Sequence, residues 1–183
     1  GAQSGHIAAV GYDLYCEMVT EAVAELRGEG VQRAQEINID LPIRAYLPDD
    51  YVEAEEQRLE AYRRLANVNE LIDVADIEAE WIDRYGPVPD AAQTLLHIAL
   101  LRSECVRLEV ADISVANRNR IRLSPLELTQ SEQVRYKRLI SEGPYNGGTY
   151  KQESLELTIH TDSVSSSLPG AVFALLRELR PTK

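Results

Sequence analysis

Asp73, Asp76, Glu80 and Asp83 are the residues of this sequence best placed to act together. They recur at i, i+3, i+7 and i+10, a spacing that stacks carboxylates along one side of a helix. Such a stripe works by charge, gripping cationic side chains of a neighbour; its plain counterpart is a solvated acidic face. The stretch Asn69 to Pro89 carries few basic residues to offset the stripe. Glu80 and Asp83 could also be read as an acid/base pair. That chemistry needs a cleft that separates two pKa values, which a convex stripe does not supply.

The remaining candidates are weaker. His6, His97 and His160 are scattered, with no carboxylate or Cys at ligand spacing, and read as surface or packing histidines. Ser163 to Ser167 lack a nucleophile-elbow context, and Gly147-Gly148 is not followed by the Lys-Ser/Thr of a phosphate loop. Arg135, Lys137 and Arg138 form a basic cluster, a candidate nucleic-acid contact or a set of local ion-pair partners. No residue pattern implies a cofactor, a metal or an active site of the chain's own.

The composition narrows the function classes. In 183 residues the formal net charge is -11 and 44% are hydrophobic. A core can form, and the charge balance disfavours nucleic acid and anionic membranes while suiting a basic partner. Cys16 and Cys105 lie far apart in apolar surroundings and read as small buried hydrophobes of a reducing compartment. No stretch approaches the roughly 20 apolar residues of a membrane span, and no signal pattern opens the chain. The expected location is cytoplasmic. The chain opens without Met, which suggests a fragment of something longer.

The elements that position the stripe follow from periodicity. Residues 1–30 read as a short piece belonging to whatever precedes the chain, with a helix from Tyr12 to Leu26 and a linker at Arg27 to Gly30; residues 31–183 form the main domain. Ile37, Ile39, Leu41 and Ile43 alternate as a half-buried strand, and Pro42 places it at an edge or ends its pairing there. A helix is expected from Tyr51 to Ala66, burying Leu59, Tyr62, Leu65 and Ala66. The stripe helix follows, with Asn69 as cap and Gly86-Pro87 as stop. Its expected apolar side is Leu71, Val74, Ala75, Ile82 and Tyr85, with Trp81 at the edge. The next helix, Pro89-Asp90 to about Leu108, is apolar almost all round and reads as the centre of the core. A hairpin over Val110 to Leu123, a short helix over Ser131 to Ile140, a strand over Leu155 to Ile159 and a last helix to Arg180 complete the chain. The class is α+β: a small mixed or antiparallel sheet with several helices packed mainly on one face.

Two stretches resemble a known family, the bacterial transcription-repair coupling factors. Gln3-Ser4-Gly5 with Gly11 to Tyr15 resembles the end of their translocation motif. Leu47 to Tyr51, Gln57-Arg58-Leu59 and Tyr62 to Ala66 resemble the start of their C-terminal domain, and Glu80 to Pro89 its E-x-I-D-R-[FY]-G-x-x-P signature. The resemblance covers about residues 1 to 110; the last third is read from periodicity alone. It implies an ATP-driven DNA translocase whose motor lies upstream, and a C-terminal domain that regulates it. That domain is expected to hide an N-terminal module that binds UvrA, and through the parent protein to affect UvrA, RNA polymerase and DNA. It implies that Glu80 and Asp83 hold basic side chains of that module, with Arg84 beside them, and that Gln3 links ATP hydrolysis to movement. Asp73 and Asp76 extend the same face by helix geometry.

Overall fold

The computed structural model describes residues 37–117, 119–142, 145–163 and 167–182. The expectations for Gln3, His6, Cys16 and the helix Tyr12 to Leu26 lie outside the described residues. In chain order come β1 (Asn38–Asp40), α1 (Glu55–Leu65), α2 (Leu71–Tyr85), α3 (Asp90–Leu108), β2 (Asp112–Asn117) and β3 (Arg120–Ser124). Then follow α4 (Gln130–Glu142), β4 (Thr149–Lys151), β5 (Glu156–His160), a 3-10 turn (Thr161–Ser163) and α5 (Leu168–Leu179).

The five strands form one mixed sheet in the order β1-β2-β3-β5-β4, with β1 parallel to β2 and every other pair antiparallel. Because side chains alternate across a strand, registry places Ile39, Ile113, Leu123, Leu157 and Tyr150 in one row, mostly buried. The adjacent row, Asp40, Ser114, Arg122, Thr158 and Thr149, is polar and more open. This two-faced pattern is the α+β sheet expected from the alternation. β1 stands at an edge, and its pairing stops at Asp40, two residues before Pro42. β4 was not expected; it is three residues long and pairs only with β5.

The core lies between the sheet and α3. Leu95, Leu96, Ile98 and Leu101 are wholly buried, each contributing about 2 kcal/mol of apolar transfer. α5 packs against α3, with its Val172, Leu175, Leu176 and Leu179 buried.

The helix expected from Tyr51 begins instead at Glu55. Tyr51 and Val52 are held in a turn by their N–H bonds to the Pro48 carbonyl, and the Arg58 guanidinium donates to the Val52 and Glu53 carbonyls. Arg58 is buried while Leu59 stays 39% exposed, so the expected burial of Leu59 is corrected: satisfying loop carbonyls takes the inner place.

Candidate protein-interaction face

α2 is fixed at both ends by hydrogen bonds that decide which of its carboxylates are available. Its N-cap is Glu70, not Asn69 as the sequence suggested. The Asp73 carboxylate accepts the backbone N–H groups of Asn69 and Glu70, at 2.9 Å each. These bonds hold its pKa below the usual carboxylate value, the Asn69 N–H contributing most. Asp73 is therefore engaged in closing the helix start, a correction to its expected place on a free stripe. At the other end Gly86 adopts φ 90°, a conformation glycine reaches without a Cβ penalty. The Tyr51 hydroxyl lies 2.8 Å from the Gly86 carbonyl and 3.2 Å from that of Trp81, and its ring meets Tyr85 edge-on at 5.6 Å.

These anchors rotate the helix relative to the expected apolar side. Val74, Ile77 and Trp81 face inward, with Trp81 only 3% exposed. Leu71, Ile72 and Ile82 are 59%, 63% and 49% exposed, and Ala75 is exposed as well. The assignment of Leu71, Ala75 and Ile82 to the core, and of Trp81 to its edge, is thus corrected. Trp81 has the larger surface to bury, and Tyr51 and Tyr85 supply aromatic neighbours for that side.

Among the four carboxylates the structure distinguishes three situations. Asp73 serves the helix start. Glu80 is paired with Arg64 of α1 and, at 3.5 Å, with Arg84 one turn further along α2. Arg84 also lies over the Tyr85 ring at 5.2 Å. Asp76 and Asp83 are exposed, with no hydrogen bond or ion pair among the described residues. They share the solvent side with Leu71, Ile72, Ala75 and Ile82, so the outward face is apolar and acidic together. The offsetting charge that α2 itself supplies only through Arg84 reaches Glu80 from a different helix as well, as Arg64.

A groove of about 400 Å³ runs between α1 and α2, with Glu56, Glu60, Arg64, Glu80, Arg84 and Tyr85 in its walls. Asp83 is not part of it, so Glu80 and Asp83 do not form an acid/base pair in a shared cleft. The basic cluster also separates: the Arg135 guanidinium donates to the Glu178 and Leu179 carbonyls at 3.3 and 2.9 Å, leaving Lys137 and Arg138 exposed. Arg135 is engaged in capping α5, which weakens the nucleic-acid reading. His97 packs half-buried with Nδ1 2.7 Å from the Ser167 hydroxyl, and burial lowers its pKa. No group of three or more His, Cys, Asp or Glu among the described residues could hold a metal ion, and none of their helices is long and apolar enough to cross a membrane.

One network had no sequence signal. Glu104 of α3, 1% exposed, accepts from Arg107 and from Arg177 of α5, the latter at 2.5 Å. Arg177 also reaches the Glu70 carboxylate and the Asn69 carbonyl at 3.2 to 3.3 Å. The start of α2 is thus tied through α5 to the core helix. Arg180 pairs in parallel with Glu132 at 2.7 and 2.9 Å, holding that carboxyl down to about 2.

The family model for the TRCF domain matches residues 41–138. The chain is similar to the transcription-repair-coupling factor of Mycobacterium bovis, 41% identical over 158 residues, covering 80% of this chain and 13% of that protein. It is 38% identical over 113 residues to that of Myxococcus xanthus, covering 62% of this chain and 9% of that protein. Against that of Haemophilus influenzae it is 31% identical over 159 residues, 78% of this chain and 14% of that protein. The chain therefore spans about one seventh or less of these relatives. A crystal structure of the C-terminal domain of transcription-repair coupling factor has the same fold, with TM-score 0.64 and 23% identity over 80% of this chain and 94% of that one.

Proposed function

Because the chain belongs to the TRCF domain family, we propose that it is a non-catalytic regulatory domain of a transcription-repair coupling factor acting in nucleotide excision repair. In this reading residues 1–30 finish the translocation motif of an upstream ATP-driven DNA motor and residues 31–183 restrain it. The domain docks on a basic N-terminal module of the same protein and hides its UvrA-binding surface until RNA polymerase is engaged. It works in the cytoplasm, and it meets UvrA, polymerase and DNA only through the parent protein.

The observation that carries this reading is Asp83. It sits in the last turn of α2, where the helix dipole disfavours negative charge by about 0.3 to 1 kcal/mol. No cation among the described residues compensates it. A carboxylate kept where it costs stability, beside exposed Ile82 and about two helical turns from Asp76, which is exposed as well, suits a surface completed by a cationic partner. Ion pairs of this kind contribute about 0 to 1 kcal/mol each when exposed and more when partly desolvated. Within one chain, high effective concentration makes a few of them enough for a latch that still opens.

The test is Asp76→Arg with Asp83→Arg in the full-length protein. UvrA binding and ATP turnover are both expected to rise. Unchanged values for both would remove the regulatory reading.

A further inference from the structure

The side of the sheet turned away from the core holds no buried strand residue among those described. β3, the middle strand, puts Arg120 and Arg122 there, two residues and so about 7 Å apart along the strand. Register sets Arg122 between Ser114 of β2 and Thr158 of β5, and Arg120 beside His160. The acids on this side are engaged or distant in register. Asp112 accepts from the Asn38 amide and the Ser114 hydroxyl at 2.7 Å each, and Glu156 stands opposite Lys151. His160 has its Nδ1 3.6 Å from Asp162. Neither Arg120 nor Arg122 has a hydrogen bond, ion pair or ring contact among the described residues. The chain carries 30 acidic residues against 19 basic ones, so two neighbouring arginines left without a carboxylate go against its charge surplus.

We propose that this side of the sheet docks an acidic helix of a partner protein, whose carboxylates one turn apart take Arg120 and Arg122. Residues i and i+4 of a helix stand about 6 Å apart, close to the spacing of the two arginines. Each guanidinium offers a fork of N–H groups that fits a carboxylate through two parallel bonds. Ser114 and Thr158, short side chains on either side of Arg122, leave room for a helix to approach. Helices already cover the other side of the sheet, and a helix here would complete a third layer. Nucleic acid fits less well. Tyr150, the aromatic residue of the strands, lies in register with Leu157 on the core side, so bases find no ring to stack on. A long phosphate backbone also meets the field of a chain of net charge -11. The inference is carried by residues outside α2 and stands or falls apart from the latch.

The test titrates the 183-residue chain with an alanine-rich helical peptide of about 20 residues carrying Glu at i and i+4, while NMR follows the Arg120 and Arg122 Nε–H signals. Both signals are expected to move together. A peptide of the same composition with its two Glu at i and i+2, on opposite sides of a helix, should need about tenfold more to move them. Arg120→Gln and Arg122→Gln should each weaken binding of the first peptide about tenfold. Lys137→Gln makes the same charge change on an exposed position of α4 and should stay within about twofold of the parent. Silent arginine signals, equal or tighter binding of the i, i+2 peptide, or equal losses in the Lys137 and arginine variants overturn the proposal. Tighter binding of a single-stranded oligonucleotide of about 10 nucleotides than of the first peptide overturns it too, and makes the face a nucleic-acid surface.

Discussion

Glu80→Gln is expected to destabilise the domain and Asp83→Asn is not, although both remove one carboxylate from one helix. Glu80 is held by Arg64 across the helix pair and by Arg84 in the favourable i,i+4 order. The side chains are 39% to 48% exposed, so solvent screens both pairs. The helical pair contributes about 0.3 to 0.5 kcal/mol and the cross-helix pair up to about 1 kcal/mol. Glu80→Gln should therefore cost about 1 kcal/mol. Asp83 opposes the carbonyl end of its helix without a cation, so Asp83→Asn should be neutral or stabilise by about 0.3 kcal/mol. Trp81 is the sole tryptophan and is 3% exposed, so its fluorescence reports unfolding from the helix concerned. In urea a gap of about 1 kcal/mol separates the two midpoints by about 0.5 M. About 1 M salt should close much of it, since exposed ion pairs are screened. Equal midpoints, or Asp83→Asn as the less stable variant, would refute the division of α2 into a compensated and an uncompensated carboxylate.

Arg177→Met should cost about 3 kcal/mol in the same urea assay, because Glu104 would keep one cation at a site 1% exposed. Glu132, held at about 2 chiefly by its hydrogen bonds from Arg180, has a folded pKa below its unfolded value, so its contribution is complete above about pH 4.5 and is lost as pH falls towards 2. Arg180 remains over a third exposed to screening water, so the loss is about 2 kcal/mol, and Glu132→Gln should flatten that limb of the stability–pH curve. Tyr51→Phe removes the hydroxyl that meets the Gly86 and Trp81 carbonyls and should cost about 1 kcal/mol, measured by thermal unfolding.

Period-two alternation located the long strands and the hairpin because each of those strands turns one apolar side inward. It missed β4, whose single apolar residue Tyr150 has no alternating neighbours, whereas the equally short β1 is flanked by Ile37, Leu41 and Ile43. The stripe helix was legible as a helix but not in its rotation. Apolar residues at 71, 72, 74, 75, 77, 81 and 82 span most of its circumference, so spacing alone allows more than one inward side. Tertiary packing chose Trp81. Asp73 looked like the first member of a stripe because its capping role depends on where the helix starts. Arg64 and Arg177 act on α2 from other helices, 16 and 107 residues from Glu80 and Glu70, and no local pattern announces such a partnership.

The account depends on Asp76 and Asp83 being held outward for a cationic surface to grip. Its most direct test is a titration of this chain with the isolated N-terminal module of the full-length protein, at salt from about 50 to 500 mM. The prediction is binding that weakens steadily with salt and falls about tenfold in Asp76→Asn with Asp83→Asn. Binding that ignores salt, or that the double variant retains in full, would contradict it.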